Sequence, residues 1–231
     1  KINSTKQTIY LTYDDGDNAQ WQDQLKSYNG QSITYDGMGN PLSYINGMSF
    51  AWSRGRQLDQ VTFSDNTTAS YTYNENGLRT HKESSTESVE YTWDDSSLVR
   101  EIVTLKDTNK IYDVWYLYDE NDSPIGFMYY QIVNINSNEH LSLGRYYYEK
   151  DLQGNVIGIL DAHGYEVVTY RYDAWGNITD TTYTSQIPYQ LNHLTYRGYY
   201  RDEETGFYYL QSRYYDAEVG RFLNADDTSY L

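Results

Sequence analysis

One pattern recurs along this chain and limits what it can become. It is an aromatic–x–aromatic pair, then Asp or Asn, a short polar gap, Gly or Gly-Asn, and an apolar residue. The clearest copy is Tyr170-Arg171-Tyr172-Asp173-Ala174-Trp175-Gly176-Asn177-Ile178. Others run through Tyr35-Asp36-Gly37-Met38-Gly39-Asn40, Tyr73-Asn74-Glu75-Asn76-Gly77, Tyr118-Asp119-Glu120-Asn121 and, with Glu in the acidic place, Tyr148-Glu149 to Gly154-Asn155. Tyr13-Asp14-Asp15-Gly16 is a degenerate copy, and Tyr91-Thr92-Trp93-Asp94-Asp95 lacks the glycine. Side chains alternate along a strand, so Tyr-x-Tyr puts both rings on one face. Asp or Asn ends the strand by bonding its own backbone ahead. Gly-Asn suits the left-handed positions of a tight hairpin. Each copy therefore predicts one β-hairpin, and a lone hairpin cannot stand by itself, so neighbours must stack. The expected fold is all-β: repeated hairpins in a curved or spiralling antiparallel sheet.

Composition fits such a wall. The hydrophobic share is 39%, low for a packed globule, but 29 of the 231 residues are tyrosine. Tyrosine offers an apolar body and a polar tip, which suits a sheet with one wet face. Helix signals are few. Asp17–Tyr28 places Trp21 and Leu25 four apart and reads as a short helix. Lys82–Glu90 and Thr104–Lys110 read as solvated hairpin loops with flanking strand residues, and Asn134–His140 as another.

Several function classes recede at this level. The formal net charge is −16 with 17 scattered Lys and Arg, which argues against a phosphate-backbone-binding role and so against a nucleic-acid partner. Cysteine is absent, so there is no thiolate metal site. His81, His140, His163 and His193 share no metal spacing and read as loop residues. Asp14-Asp15-Gly16-Asp17-Asn18 lacks the later Glu of a calcium loop. No cofactor or metal is expected. No apolar run is long enough for membrane insertion, and no nucleophile elbow of the G-x-S-x-G type occurs. The first residue is Lys1, so the chain reads as a piece of a longer or processed protein.

The densest stretch lies near the end. Residues 196–227 hold seven tyrosines, two phenylalanines and four arginines. Asp202 to Gly206 supplies turn chemistry, Phe207 to Tyr215 reads as a strand region, and Ala217 to Gly220 turns again. Such order at a terminus suggests a plug for everything before it. Taken with the repeats, this stretch resembles the YD-repeat, or Rhs, family, its bacterial branch most of all. Tyr196-Arg197-Gly198, Asp202 to Gly206, Arg213-Tyr214-Tyr215 and Gly220-Arg221-Phe222 resemble the family's Rhs-associated core. On this reading residues 1–195 are the repeat-bearing wall and 196–231 a closing element continuous with it.

The resemblance implies a β shell closed by its core segment, with a toxin domain following in cis and held inside. It implies a secreted or cell-surface protein, with other shell segments as further partners. A non-enzymatic scaffold is the leading expectation. Two alternatives stay open. One is adhesion or glycan binding, through Trp21, Trp52, Trp93, Trp115 and Trp175. The other is an aspartic autoprotease of the kind found in the family, whose motif maps onto Arg213 and Asp226. A dyad needs a second carboxylate sharing a proton. Asp227 points away from Asp226 on a strand, leaving Asp202 or Asp216 as candidate partners. The motif also departs after Asp226, where Asp227-Thr228 replaces the family's Pro and spacing, so closure is the stronger expectation. The alternative to catalysis is that Arg213 pairs with a buried carboxylate and Asp226 caps a turn. Arg197, Arg201, Arg213 and Arg221 are expected to stack on tyrosine rings or fork onto carboxylates.

Overall fold

The computed structural model describes residues 8–13, 23–134 and 139–224. The chain forms two compact units, residues 1–68 with 224–231, and residues 69–223. In the smaller unit, β1 (Leu11–Tyr13), β2 (Leu25–Tyr28) and β3 (Gln31–Ser32) make one antiparallel sheet. Strands β4 (Thr34–Tyr35), β5 (Pro41–Ser43), β6 (Ser49–Ser53) and β7 (Gln57–Thr62) follow as a meander. The expected helix over Asp17–Tyr28 is corrected where it can be seen. Leu25–Tyr28 is extended and pairs with Leu11–Tyr13, burying Leu25 and Tyr28, so strand pairing overrides the four-residue spacing. The rest of that segment, most of the Tyr13–Gly16 copy, the calcium-like run, most of the Asn134–His140 loop and Asp226 lie outside the described residues.

The larger unit is a longer meander. Its strands are β8 (Thr68–Tyr73), β9 (Arg79–Glu83), β10 (Glu87–Asp94), β11 (Ser97–Leu105), β12 (Lys110–Tyr118), β13 (Pro124–Asn134), β14 (Glu139–Lys150), β15 (Val156–Leu160), β16 (Glu166–Tyr172) and β17 (Ile178–Tyr183). Each pairs antiparallel with the next. Helix α1 (Gln186–Leu191) then leads to β18 (Tyr200–Arg201), β19 (Tyr208–Tyr209), β20 (Tyr214–Asp216) and β21 (Arg221–Phe222), a four-stranded sheet of very short strands. The fold is all-β, built of repeated hairpins.

The repeat's turn has one geometry at six places, headed by Asp36, Asn74, Asp119, Asp151, Asp161 and Asp173. At Asp173 the side-chain Oδ1 accepts the Trp175 and Asn177 N–H groups at 2.8 and 3.0 Å. The Asp173 N–H donates to the Asn177 carbonyl, and the Gly176 N–H to the Asp173 carbonyl. The Asn177 amide donates to Asp173 Oδ2 at 2.8 Å. Backbone N–H groups of Ser123 and Asn121 likewise hold the Asp119 carboxyl below its ordinary value. Gly176 is left-handed, with φ 97°, but Asn177 is not. The turn is therefore a reversal with one left-handed residue and a bulge, rather than the two left-handed positions expected from Gly-Asn. Every one of these hairpins shows its register shift at the residue before the Asp or Asn. Such bulges strengthen local twist.

The ring just before the turn has a second task. Tyr35, Tyr118 and Tyr172 each donate a hydroxyl hydrogen bond of 2.7 Å, to the carbonyls of Leu25, Leu98 and Val156. Trp52 and Trp93 do the same with indole N–H groups, at 2.6 Å to Pro41 and Arg79. Each bond reaches back to an earlier strand and ties the hairpins together. The position thus requires a ring with a donor, which phenylalanine lacks. Tyr172→Phe should lower the free energy of unfolding by about 1 kcal/mol, measured by urea denaturation. Tyr165→Phe, at a ring left 71% exposed, should leave it unchanged.

Candidate functional site

The terminal segment lies on the face of the larger unit that carries Tyr71, Arg79, Lys82, Tyr91 and Glu101, and it delivers His193, Tyr200, Asp202, Glu204, Tyr209 and Tyr214 to them. Arg79 and Lys82 have no side-chain exposure. They share a face because Tyr73 pairs with Arg79 and Thr72 with His81, which leaves Thr80 as a bulge. Without it, residues three apart would point to opposite faces.

Arg79 Nη1 donates to Asp202 Oδ2 at 2.7 Å. Its guanidinium lies among four rings, 4.4 Å from the Tyr209 centroid, 4.8 Å from those of Tyr91 and Tyr200, and 5.1 Å from that of Tyr71. Nε and Nη2 have no oxygen partner among the described residues, so the ring faces supply their electrostatic company. The Arg79 backbone N–H donates to the Tyr209 hydroxyl at 3.0 Å. Lys82 Nζ stands 2.7 Å from Glu87 Oε1 and 3.3 Å from both Asp202 Oδ1 and Glu204 Oε2. The Tyr71 hydroxyl donates to Glu204 at 3.0 Å.

His193 adjoins this group. Its Nδ1 is 2.9 Å from Glu101 Oε2, which also accepts the Tyr116 hydroxyl at 2.9 Å, and its Nε2 is 3.6 Å from Glu87 Oε1. The ionic centre thus joins three basic groups to four acids, all with side chains nearly or wholly buried. Burial alone would lower the His193 pKa, but the Glu101 and Glu87 carboxylates outweigh it and hold it up at about 10. Burial would likewise lower Lys82, and Glu204 and Glu87 reverse this. Burial raises the Glu204 carboxyl, Lys82 pulls it back, and the Asp202 and Glu87 charges push it up again. Asp202 stays below its ordinary value because Arg79 and Lys82 overcome its burial.

Turn asparagines dock the terminal segment further. Asn155 Oδ1 accepts the Arg197 N–H at 3.0 Å, and the Asn177 amide donates to the Ala217 carbonyl at 2.8 Å. Tyr208 and Tyr215 hydroxyls donate to the carbonyls of Gly176 and Trp175. A Cβ on Gly176 would meet the Tyr196 ring at 2.6 Å, so that close approach needs glycine as much as the turn does. In the smaller unit, Asn224 donates to Asn40 at 3.2 Å.

The expected site residues fall into separate roles. Gly206 and Gly220 are left-handed at φ 75° and 72°, each closing a turn onto Asp202 or Asp216. Gly198, also left-handed, donates its N–H to the Thr195 carbonyl. Tyr73 and Tyr214 meet hydroxyl to hydroxyl at 2.8 Å. The Arg213 guanidinium lies 3.8 Å from the Phe222 centroid, Arg197 lies over Tyr196, and Arg201 pairs with Glu203. Arg221 sits on β21, paired with Asp216. Asp216 caps its own turn through the Glu218 N–H at 2.8 Å. Of the two candidate partners, Asp202 is held by Arg79 and Lys82, and Asp216 accepts from its own turn. Two expectations are corrected. Lys82 and Glu87 are buried rather than solvated, because the hairpin between β9 and β10 turns its flanks under the terminal segment. His81 lies in β9, and His193 is a buried ion-pair member rather than a loop residue. Trp52 and Trp93 are half-buried, whereas Trp115 and Trp175 are 37% and 60% exposed. No group of metal-ligating side chains is assembled among the described residues.

A meander of repeated hairpins with a terminal segment sealed onto one face defines a repeat-built β wall. The RHS Repeat family model matches residues 151–186. The tRNA nuclease WapA of Bacillus subtilis is 34% identical over 205 residues, 88% of this chain and 8% of that protein. The double-stranded DNA deaminase toxin A of Burkholderia cenocepacia is 31% identical over 81 residues, 35% of this chain and 6% of that protein. In fold, the chain is similar to part of the Photorhabdus luminescens Tc holotoxin pore, with a TM-score of 0.71 at 18% identity, over 96% of this chain and 12% of the other. The chain belongs to the YD-repeat, or Rhs, family. It spans less than a tenth of the length of the WapA proteins it matches.

Removing one partner from a buried pair leaves the other uncompensated. Asp202→Ala should therefore cost about 3–5 kcal/mol, read by urea denaturation. The His193 proton has a linkage signature. Its pKa rises from an ordinary 6.5 to about 10 on folding, so its stabilisation is complete below pH 6.5 and is lost as pH climbs through 10. Between those values wild-type stability should fall relative to His193→Gln, and parallel pH profiles would refute this.

Proposed function

We propose that this chain is a non-enzymatic wall segment of an Rhs-type shell, with residues 196–231 as its closing element, and that the shell encloses or presents an effector domain in the full-length protein. The observation that carries the reading is the ionic centre. It fixes the terminal segment to strands more than 100 residues earlier, at Arg79 and Asp202 above all. A segment so held can close a wall without itself making or breaking bonds. Membership in the Rhs family and the likeness in fold to a Tc toxin component support the shell role. The toxin names of the relatives support an effector as the enclosed partner. Such a role places the protein outside the producing cell or on its surface. No helix among the described residues is long and apolar enough to cross a membrane.

Protease protection in the full-length protein tests this. The domain that follows this segment should resist digestion that degrades the same domain made alone, and Asp202→Ala should restore its cleavage. Equal digestion rates of the enclosed and the isolated domain would overturn the shell reading.

A further inference from the structure

Between the terminal segment and strands β10 to β13 lies a half-open cavity of about 380 Å³. Trp93, Tyr118, Tyr199, Tyr200 and Tyr209 line it, and Asp122 is the only charged residue in its lining among the described residues. The donors of Trp93, Tyr118 and Tyr209 are occupied elsewhere. The Trp93 indole N–H goes to the Arg79 carbonyl and the Tyr118 hydroxyl to that of Leu98. The Tyr209 hydroxyl points to the Gly77 carbonyl, whereas that of Tyr200 accepts the Tyr91 hydroxyl hydrogen and keeps its own. Gln211, also in the lining, donates one amide hydrogen to the Ser96 carbonyl at 2.6 Å, which leaves its side-chain oxygen and second amide hydrogen for a ligand of the cavity. Asp122 is exposed and makes no side-chain hydrogen bond or ion pair among the described residues.

These side chains offer aromatic surface, hydroxyl and amide groups at its edge, and one carboxylate, which gives the cavity a negative charge beside ring faces. A guanidinium has five N–H donors and no acceptor, is planar and stacks on aromatic rings. The net charge of −16 draws cationic partners to the chain. The fold already holds one guanidinium by the same means. Tyr200 and Tyr209, which line the cavity, also flank Arg79, with ring centroids 4.8 and 4.4 Å away.

We propose that this cavity is a recognition site for an arginine side chain presented by a basic polypeptide, with Asp122 as the counter-charge and the tyrosine and tryptophan rings as the stacking surface. The assignment is independent of the shell role, since it needs only the larger unit.

The test is an NMR titration of the chain, following the Trp93 indole and Gln211 signals. The probe is a short capped peptide with one arginine. Its controls are the same peptide with citrulline, a neutral isostere, and methyl glucoside. The arginine peptide should shift both signals, and the controls should not. Asp122→Asn should weaken the arginine peptide at least threefold. Asparagine tolerates the left-handed φ of 57° at this position, so the turn survives the change. Absent shifts, equal shifts with citrulline, shifts with the glucoside alone, or unchanged affinity in Asp122→Asn would each overturn the proposal.

Discussion

The contact on which the larger unit depends is the pair between Arg79 and Asp202. Two charges removed from water are expensive, and their attraction offsets this only with good geometry and further partners. Here the partners are present. Asp202 is shared between Arg79 and Lys82, Glu87 lies between Lys82 and His193, and Glu101 is shared between His193 and Tyr116. Four rings surround the guanidinium in place of water. The terminal segment supplies Asp202, Glu204 and His193, while β9 to β11 supply the rest. If the segment left, Arg79 and Lys82 would lose their carboxylate company from residues 202 and 204, so the strands and the terminal segment stabilise one another.

Tyrosine is abundant for a reason the hairpins make plain. Its rings fill the face beneath the terminal segment, and its hydroxyls add bonds to those of the ladder, both between neighbouring strands and from strands to loops. Tyr172 reaches the Val156 carbonyl, Tyr148 reaches Asn192, and Tyr208 reaches Gly176. Phenylalanine would fill the same volume and leave those carbonyls without a donor. Phe127, with no exposure, stacks against Tyr129 and Tyr146, a place where rings meet rings and no donor is needed.

What was legible in the sequence was local. An Asp or Asn followed by a glycine after a tyrosine encodes its own turn, and the structure repeats that turn at each well-formed copy. The centre was illegible for two physical reasons. Arg79 and Lys82 share a face only because Thr80 is a bulge, which no period-2 reading of β9 reveals. Their partners lie 123 and 120 residues away. Lys82–Glu90 also has the polar composition of a loop, although Lys82 and Glu87 are buried beside Asp202 and His193. One expectation held in kind: arginine was expected to stack on tyrosine rings, and Arg79 does so, although it was not among the arginines named.

A repeated wall poses a seating problem for anything that must close it. Successive hairpins present similar aromatic faces, so an apolar plug could settle on any of them with nearly equal free energy. Turn asparagines do not resolve this, because Asn40, Asn155 and Asn177 occupy equivalent positions in their repeats. Charges do, because Arg79 and Lys82 stand on one strand, and a shift by one hairpin would take Asp202 from both cations toward the strands that carry Glu87 and Glu101, at a cost of several kcal/mol. The ionic centre therefore acts through the seats it forbids as much as through the one it stabilises. That accounts for charged groups at a place where well-packed hydrophobic residues could serve stability equally well.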